Sequence, residues 1–278
     1  MIGSTAIVVD SGCYLPQEII DRHGLIVVPL SIELDGDVYA ETDLDPDDFY
    51  RRLPTAKSAT TSQPSPALLT QAYERAAGEG AEHILSIHIG SNVSGTINAA
   101  TLAANDSPVP VTVVDTHTVS MAVGLCILEA VEALSGGASP AEAARVASEA
   151  GPRIGNTFIV RALDLPRRGG RLKEDDSAVG DGIHVMVASG DSMQVVGSAA
   201  SVEEAVDIMA AEIEAFAAAA SGPLRVGVGH GAAPGIAAEL KRRLDAMQGI
   251  DDIIEYVVGP AVGVHTGPGN AGAVYISR

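Results

Sequence analysis

The stretch from Ile89 to Thr96 reads Ile-Gly-Ser-Asn-Val-Ser-Gly-Thr and follows an apolar run, His83 to His88. The next residues, Ile97 to Ala104, have the composition of a helix. The pattern therefore predicts a strand, a hydroxyl- and glycine-rich turn and a helix, with Ser94 as the N-cap that accepts a bond from the first-turn amides. Free N–H groups at a helix start attract anions, so the turn could hold a carboxylate or a phosphate. An ordinary capped turn has the same pattern.

A second polar segment lies at residues 55–66, which include six Ser or Thr residues and two Pro residues. This composition predicts a loop, followed by a helix that starts at Ser65-Pro66 and runs to Ala77. The hydroxyls could serve a binding site, but a solvated surface loop has the same composition.

The third candidate is His265-Thr-Gly-Pro-Gly, close to the carboxyl end of the chain. The glycines on either side of Pro268 permit close backbone approach, and the proline makes the segment rigid. The pattern thus places an imidazole at the edge of a rigid turn, which either binds a ligand or is a satisfied structural turn.

A serine hydrolase is one way to combine these side chains. Ser94 would be the nucleophile, His265 or His88 the base, and Asp10 or Asp115 the orienting acid. The chain lacks the G-x-S-x-G elbow that many such enzymes carry. The hydrolase is therefore the alternative hypothesis.

A glycine motif, Gly227-Val-Gly-His-Gly-Ala232, matches G-x-G-x-x-A. In a dinucleotide site an acidic residue would follow on the next strand about 20 positions on. Asp245 lies near that distance but within a predicted helix, which favours a tight strand–helix connection.

Composition narrows the classes of function. The 278 residues include 17 basic and 36 acidic side chains, giving a formal net charge of −19 that disfavours nucleic acid and anionic membrane surfaces as partners. Cys13 and Cys126 lack the spacing of a metal site or a disulfide framework. No apolar run is long enough to span a membrane, and residues 1–10 lack the basic region of a signal peptide, so we expect a cytoplasmic protein without membrane insertion.

Strands and helices alternate up to about residue 150, which predicts a mainly parallel sheet flanked by helices. The later residues include a hairpin pattern around Ser189-Gly-Asp191 and predict a mixed sheet. The best boundary lies in residues 151–156. We therefore predict an N-terminal α/β domain over residues 1–155 and a C-terminal α/β domain over residues 156–278.

Several motifs together resemble those of DegV proteins, in the same order along nearly the whole chain. They are Val9-Asp-Ser11, Thr61-Ser-Gln-Pro64, Val93-Ser-Gly-Thr96, Asp115 with Ser120, Leu165 to Arg171, and His265-Thr-Gly-Pro-Gly269. DegV proteins resemble the FakB subunits of bacterial fatty acid kinase. The resemblance implies two α/β domains that clasp a long-chain fatty acid such as palmitate in an interdomain cleft and present its carboxylate to a separate kinase subunit.

The resemblance also implies roles for individual residues. Thr61 with Ser62 beside it, Ser94 with the amide of Gly95, and His265 would bind the carboxylate. A lipid-binding protein of this kind is not itself an enzyme and has no cofactor or metal apart from the bound fatty acid.

Basic residues are scarce, so Arg167, Arg168 and Arg171 are the main candidates for docking a kinase subunit, with structural pairing as an equal alternative. The chain departs from the family where a basic residue would end a strand, because Gly197 to Ala200 reads Gly-Ser-Ala-Ala. A lipid store or sensor that presents its ligand to no kinase is therefore a further alternative.

Overall fold

The structure, a computed structural model, describes residues 1–160, 182–189 and 192–278. It contains two compact units. Unit 1 comprises Met1–Leu44 and Ser58–Pro152, and unit 2 comprises Asp45–Lys57 and Arg153–Arg278. The predicted boundary at residue 155 is close to Pro152. The two predicted domains were consecutive, however, and the structure differs from them by including Asp45–Lys57 in unit 2.

The main sheet of unit 1 is parallel. Its strands are β1 (Thr5–Asp10), β2 (Ile26–Val28), β6 (His83–His88) and β7 (Val111–Asp115), in the order β2-β1-β6-β7. All six residues of β1 are buried, as expected for a central strand of a parallel sheet covered on both faces.

The helices of unit 1 are α1 (Gln17–His23), α3 (Pro66–Gly78), α4 (Thr96–Ala104), α5 (Met121–Ser135) and α6 (Pro140–Ala150). Ser65 and Ser139 cap α3 and α6 by accepting bonds from Leu68 N and Glu142 N. The helix start predicted at Ser65-Pro66 is therefore confirmed. Side chains of α3 and α4 pack against β1, β2 and β6 in one apolar cluster, while α5 and α6 pack against each other and contact β6.

Unit 1 also contains an antiparallel sheet that the sequence did not predict. Its strands β3 (Ser31–Leu34), β4 (Asp37–Ala40) and β5 (Ala59–Ser62) are ordered β4-β3-β5. The apolar stretch Leu25 to Leu34 is divided between the two sheets of unit 1 on either side of Pro29, which cannot donate a ladder bond. One expectation was wrong here. The loop predicted over residues 55–66 contains β5, because residues 59–62 find partners on β3.

Unit 2 contains a six-stranded mixed sheet. Its strands are β8 (Gly155–Val160), β9 (Ile183–Ser189), β10 (Ser192–Ala199), β11 (Leu224–Gly231), β12 (Ile250–Val257) and β13 (Asn270–Ser277), ordered β10-β9-β8-β13-β11-β12. Only β11 and β12 run parallel among these pairs. The helices described in unit 2 are α2 (Pro46–Arg52), α7 (Val202–Ala219), α8 (Pro234–Asp245) and α9 (Pro260–Thr266).

Helices α7 and α8 cover one face of this sheet, and their side chains form an apolar cluster with β11 and β13. The predicted fold class, with a helix-flanked parallel sheet followed by a mixed sheet, is confirmed. Among the described helices, none combines the length and the apolar character that crossing a membrane requires.

Candidate functional site

The N-cap of α4 lies one residue later in the chain than predicted. Helix α4 begins at Thr96, and Gly95 occupies the N-cap position. Ser94 lies one residue earlier, yet its Oγ accepts a bond from Thr96 N at 3.3 Å and lies 2.8 Å from Thr96 Oγ1. The Ser94 hydroxyl therefore still bonds a first-turn amide and stands beside the start of the helix.

Three backbone donors at this turn have no acceptor in the described part of the chain. Among the described residues, the backbone N–H groups of Gly95, Ile97 and Asn98 make no hydrogen bond with the protein. These donors lie at the positive end of the helix dipole, next to the Ser94 hydroxyl. An anion is the ligand that such a group of donors stabilises best.

The earlier part of the turn is held by the last residue of β7 and by the segment that follows it. Gly90 N donates to Thr118 O at 2.8 Å, and Ser91 N donates to Asp115 Oδ1 at 3.2 Å. Ser120, in the same segment, has φ 64° and ψ −152°, a region that residues other than glycine adopt only when the surroundings enforce it. Asp115 and Ser120, identified from their motif, thus lie in the segment that supports the turn.

Residues Thr61 and Ser62 lie on β5. Thr61 is paired with the fully buried Ile32 and is half-buried, whereas Ser62 is paired with Ser31 and is exposed. Because side chains alternate along a strand, Thr61 and Ser62 face opposite sides of the small sheet. The sequence analysis assigned Thr61 and Ser62 to the carboxylate site together, whereas the structure separates them onto two faces of the sheet.

Gln63 is a residue that the sequence analysis did not assign to the site. A Cβ added to Gly95 would lie 2.7 Å from Gln63 Cδ and closer still to Oε1. The side chain of Gln63 thus rests against Gly95 and brings the Thr61–Pro64 segment to the turn. The sequence contained a signal for Gln63, because this residue lies within the Thr61-Ser-Gln-Pro64 motif. The sequence analysis, however, assigned a binding role only to Thr61 and Ser62.

A chain of buried polar groups lies beneath the turn. Tyr73 OH is 2.7 Å from Ser86 Oγ, Ser86 Oγ is 2.6 Å from His88 Nε2, and His88 Nδ1 is 3.0 Å from Asp10 Oδ2. All four side chains are fully buried. Both ring nitrogens of His88 are thus engaged, and the serine that it contacts is Ser86. A hydrolase with His88 as the base of Ser94 does not fit this geometry.

The adjoining loop after β1 carries Ser11 and Cys13. The Ser11 hydroxyl donates to the Glu41 carboxylate and accepts a bond from Leu30 N at 3.0 Å, while Tyr14 OH donates to Glu41 Oε1 at 3.0 Å. Burial raises the pKa of the Cys13 thiol to about 12. This cysteine is therefore a neutral core group and supplies no thiolate nucleophile.

The topology of unit 1 agrees with a ligand site at this edge of the sheet. From β1 the chain passes to β2 on one side, whereas β6, on the other side of β1, continues to β7. The order reverses between β1 and β6, and crevices at such points of α/β sheets are common binding sites. The Ser94 turn begins directly at the carboxyl end of β6.

His265 belongs to unit 2 and is described there by itself. It lies in the last turn of α9 and is half-buried; the sequence did not predict this helix. Gly267 and Gly269 have φ of 70° and 88°, so the expected rigid turn is present. Asn270 Nδ2 donates to Gly267 O at 2.6 Å, and Gly269 N donates to Gly231 O at 2.7 Å, which fixes the imidazole-bearing segment to the end of β11.

Helix α2 supports α9 within unit 2. Tyr50 OH donates to Val258 O at 2.9 Å, and a Cβ on Gly263 would lie 2.9 Å from Phe49 Cε1. These contacts of Phe49 and Tyr50 are the physical reason that Asp45–Lys57 joins unit 2. Packing of this kind is invisible in a local sequence window.

The G-x-G-x-x-A motif has a packing explanation. A Cβ on Gly229 would come within 2.5 Å of Tyr256 Cε2, because the two residues are paired on β11 and β12. Asp245 is the last residue of α8, as expected, and not part of a strand. This placement supports a tight strand–helix connection and gives no acidic residue to a dinucleotide ribose.

The three predicted partner-docking residues, Arg167, Arg168 and Arg171, all lie outside the described residues. The uncharged segment Gly197 to Ala200 lies at the end of β10. A Cβ added to Gly197 would lie 3.0 Å from Ile208 Cδ1, so Gly197 packs closely against this side chain. Within the described part of the chain, no group of three or more His, Cys, Asp or Glu side chains is arranged to hold a metal ion.

These features define a two-unit α/β protein with a turn rich in hydrogen-bond donors at the switch point of its parallel sheet. The model of the DegV family matches residues 4–278, and the chain belongs to this family. A DegV domain-containing protein of Streptomyces coelicolor is 36% identical over 280 residues, with 98% of each chain covered.

Solved structures of the family have the same fold. A DegV family protein from Thermus thermophilus, described for its fatty acid binding, superimposes with a TM-score of 0.89 at 30% identity and 99% coverage of both chains. A DegV lipid-binding protein from Thermotoga maritima gives a TM-score of 0.85 at 25% identity and 98% coverage of both chains.

Proposed function

We propose that this protein binds a long-chain fatty acid, with the carboxylate at the Ser94 turn and the acyl chain in apolar surroundings. The observation that carries the proposal is the group of donors at that turn: the Ser94 hydroxyl beside the N–H groups of Gly95, Ile97 and Asn98. The fatty acid binding described for the Thermus thermophilus relative supports the ligand class.

Further donors to the carboxylate are proposed from residues that lie close to the turn or that match a family motif. Thr61 is the proposed hydroxyl from β5, and Ser62 is its neighbour on the opposite face. His265 is proposed as the imidazole donor on the strength of its motif. A buried carboxylate needs several donors to offset its desolvation, and hydroxyls, an imidazole and helix-start amides are suitable.

The acyl chain would supply most of the binding free energy. Burying roughly 15 methylenes at about 0.8 kcal/mol each contributes on the order of 12 kcal/mol before ordering costs are subtracted. A monovalent head group also suits a chain with a net charge of −19 better than a polyphosphate does.

Presentation of the carboxylate to a fatty acid kinase subunit is the finer part of the proposal. Arg167, Arg168 and Arg171 would then be docking residues for that subunit. Reconstitution with a kinase subunit from the same cell, scored by acyl phosphate formation, tests this step. Bound lipid without phosphorylation would instead favour the store or sensor. A cytoplasmic location stays a prediction.

The binding proposal is tested by native mass spectrometry and lipid extraction of the purified protein, followed by uptake of palmitate and oleate by delipidated protein. We expect one fatty acid per chain and saturable uptake. Absence of both bound lipid and uptake would refute fatty acid binding. A fluorophosphonate probe applied to the same sample tests the hydrolase alternative, in which Ser94 reacts; we expect it to stay unlabelled.

A further inference from the structure

The buried side chains beneath the turn engage the backbone of two loops as well as each other. Asp10 Oδ2 accepts a bond from Ile89 N at 2.9 Å, and Asp10 Oδ1 accepts one from Gly12 N at 3.1 Å. Ile89 is the first residue after β6. One carboxylate therefore holds the exit of β1 and the exit of β6 in a fixed relationship.

We infer that Asp10 and His88 are positioning residues for the Ile89–Thr96 turn, an inference that rests on the proposed function of that turn. Both side chains are fully buried, so we assign them no direct contact with the ligand. Their role is to set the direction in which the chain leaves β6 and hence where the Ser94 hydroxyl and the Gly95 amide lie.

The hydrogen bonds determine the orientation of the His88 ring. In the neutral ring, Nδ1–H donates to Asp10, and Nε2 accepts from Ser86, which in turn accepts from Tyr73 OH. This pattern satisfies every member of the chain and fixes one tautomer. The ring in turn holds the Asp10 carboxylate against Ile89 N.

The backbone on the far side of His88 is fixed as well. Thr116 Oγ1 donates to His88 O at 2.8 Å, so the last residue of β6 is held through its side chain and its carbonyl. Displacement of Asp10 would release the Ile89 amide and move the turn. The hydrogen bonds from Gly90 N to Thr118 O and from Ser91 N to Asp115 Oδ1 would then have to shift with the turn or break.

Stability alone gives little reason for such a group. Burying a carboxylate and an imidazole costs desolvation, and apolar side chains of similar volume often stabilise a core as well or better. Buried polar groups with fully matched partners do specify one geometry, because any shift leaves a group unsatisfied. A turn that binds a ligand through its amides needs such a fixed geometry, because the amides must keep their positions relative to one another.

The test compares Asp10→Asn and His88→Gln with a matched control, His83→Gln. His83 lies at the opposite end of the same strand and bonds Thr112 Oγ1 at 2.9 Å, so its replacement removes a histidine contact remote from the turn. Three measurements are made: the His88 tautomer by ¹⁵N NMR, amide hydrogen exchange of residues 89–96 in the ligand-free protein, and oleate affinity.

We expect the ¹⁵N shifts of wild-type protein to report Nδ1–H at His88, and those of the Asp10→Asn protein to report the other tautomer. Both site variants should exchange the turn amides faster and bind oleate about tenfold more weakly, the effect of losing one charge-assisted hydrogen bond. His83→Gln should leave turn exchange and affinity unchanged even if its melting temperature falls.

Unchanged exchange of residues 89–96 in both site variants, together with an unchanged His88 tautomer in Asp10→Asn, would overturn the positioning role, whatever the melting temperatures. If wild-type protein binds no oleate, the proposed function fails while the ligand-free exchange data still decide the positioning role. Should Asp10→Asn fail to fold, Ser86→Ala is the second variant: it removes the contacts of Ser86 Oγ with His88 Nε2 and with Tyr73 OH and leaves the Asp10 carboxylate in place. In Ser86→Ala the amides of residues 89–96 should exchange faster than in the wild type. Exchange as slow as in the wild type would count against the inference.

Discussion

The side chain of Gln63 rests on Gly95, whose φ of −78° and ψ of 6° are backbone angles that residues other than glycine also adopt. Glycine is therefore not needed at position 95 for its backbone angles. It is needed because a methyl group there would occupy the space of the Gln63 amide. This relationship joins the segment before α3 to the turn before α4.

The first prediction concerns this contact. Gly95→Ala should change the free energy of unfolding by less than about 1 kcal/mol, since the atoms it displaces are the flexible end of an exposed side chain. It should weaken fatty acid binding, measured by titration calorimetry, because the Cβ and the displaced amide alter the anion-binding turn.

A double-mutant cycle provides the control for Gly95→Ala. Gln63→Ala removes the displaced group, so the double variant should bind no more weakly than Gln63→Ala alone. Simply additive losses in affinity would show that Gly95 and Gln63 act independently and would contradict the steric explanation.

The second prediction separates capping from binding at Ser94. Ser94→Ala should destabilise the ligand-free protein by about 1 kcal/mol, as for a lost helix cap, but should reduce fatty acid affinity strongly. Ser139→Ala is a matched control, since Ser139 Oγ accepts from Glu142 N at 3.2 Å at the start of α6. It should cost similar stability and leave affinity intact. Equal affinities in the two variants would make Ser94 only a cap.

The third prediction concerns the glycine motif of unit 2. Gly229→Ala places a methyl group against the Tyr256 ring and should destabilise the protein by about 1–3 kcal/mol, as overpacking does. Gly235→Ala, six residues on within α8, meets no atom within 4 Å and should be neutral or stabilising by up to about 1 kcal/mol. Urea unfolding of both variants measures the difference, and equal free energies would refute the packing explanation.

The fourth prediction is a pH dependence. Burial lowers the pKa of His230 from its usual 6.5, and the Asp47 carboxylate only partly opposes this. His230 Nδ1 is buried and has no hydrogen-bond partner among the described residues. The unfolded chain therefore takes up a proton near pH 6.5 that the folded chain resists, so the stabilising contribution is present above that pH and is lost as the pH falls.

Comparing urea unfolding of wild type and His230→Gln from about pH 7.5 to about pH 5 measures this contribution. The free energy of unfolding of the wild type should fall more steeply with decreasing pH than that of the variant. Parallel curves would show that His230 titrates alike in both states.

Local features of the fold were predictable because their causes lie within a few residues. The caps at Ser65, Ser139 and Ser201 follow from a hydroxyl that reaches an amide three residues on. Buried parallel strands such as β1 are recognised by their continuous apolar runs. The candidate Ser94 turn was found in the same way, from its place between a strand and a helix.

Other features depend on partners far away in the chain. A hydroxyl-rich loop and strand β5 have the same composition until β3 supplies a partner, so Ala59–Ser62 could not be recognised as a strand. Pro29 ended one strand and permitted another in a different sheet. Phe49 and Tyr50 assign their segment to unit 2 through contacts more than 200 positions away, such as the bond from Tyr50 OH to Val258 O, a separation of 208 residues.

The sequence by itself determined the α/β class, the chemical types at the candidate site and the family, since these depend on periodicity and on short motifs. Only the tertiary structure decided that Thr61 and Ser62 face opposite sides, that Gln63 covers Gly95, and that His88 serves Asp10 and Ser86 instead of Ser94. The physical reason is that composition sets which groups can bond, whereas strand register and helix packing set which of them come within a bond's length.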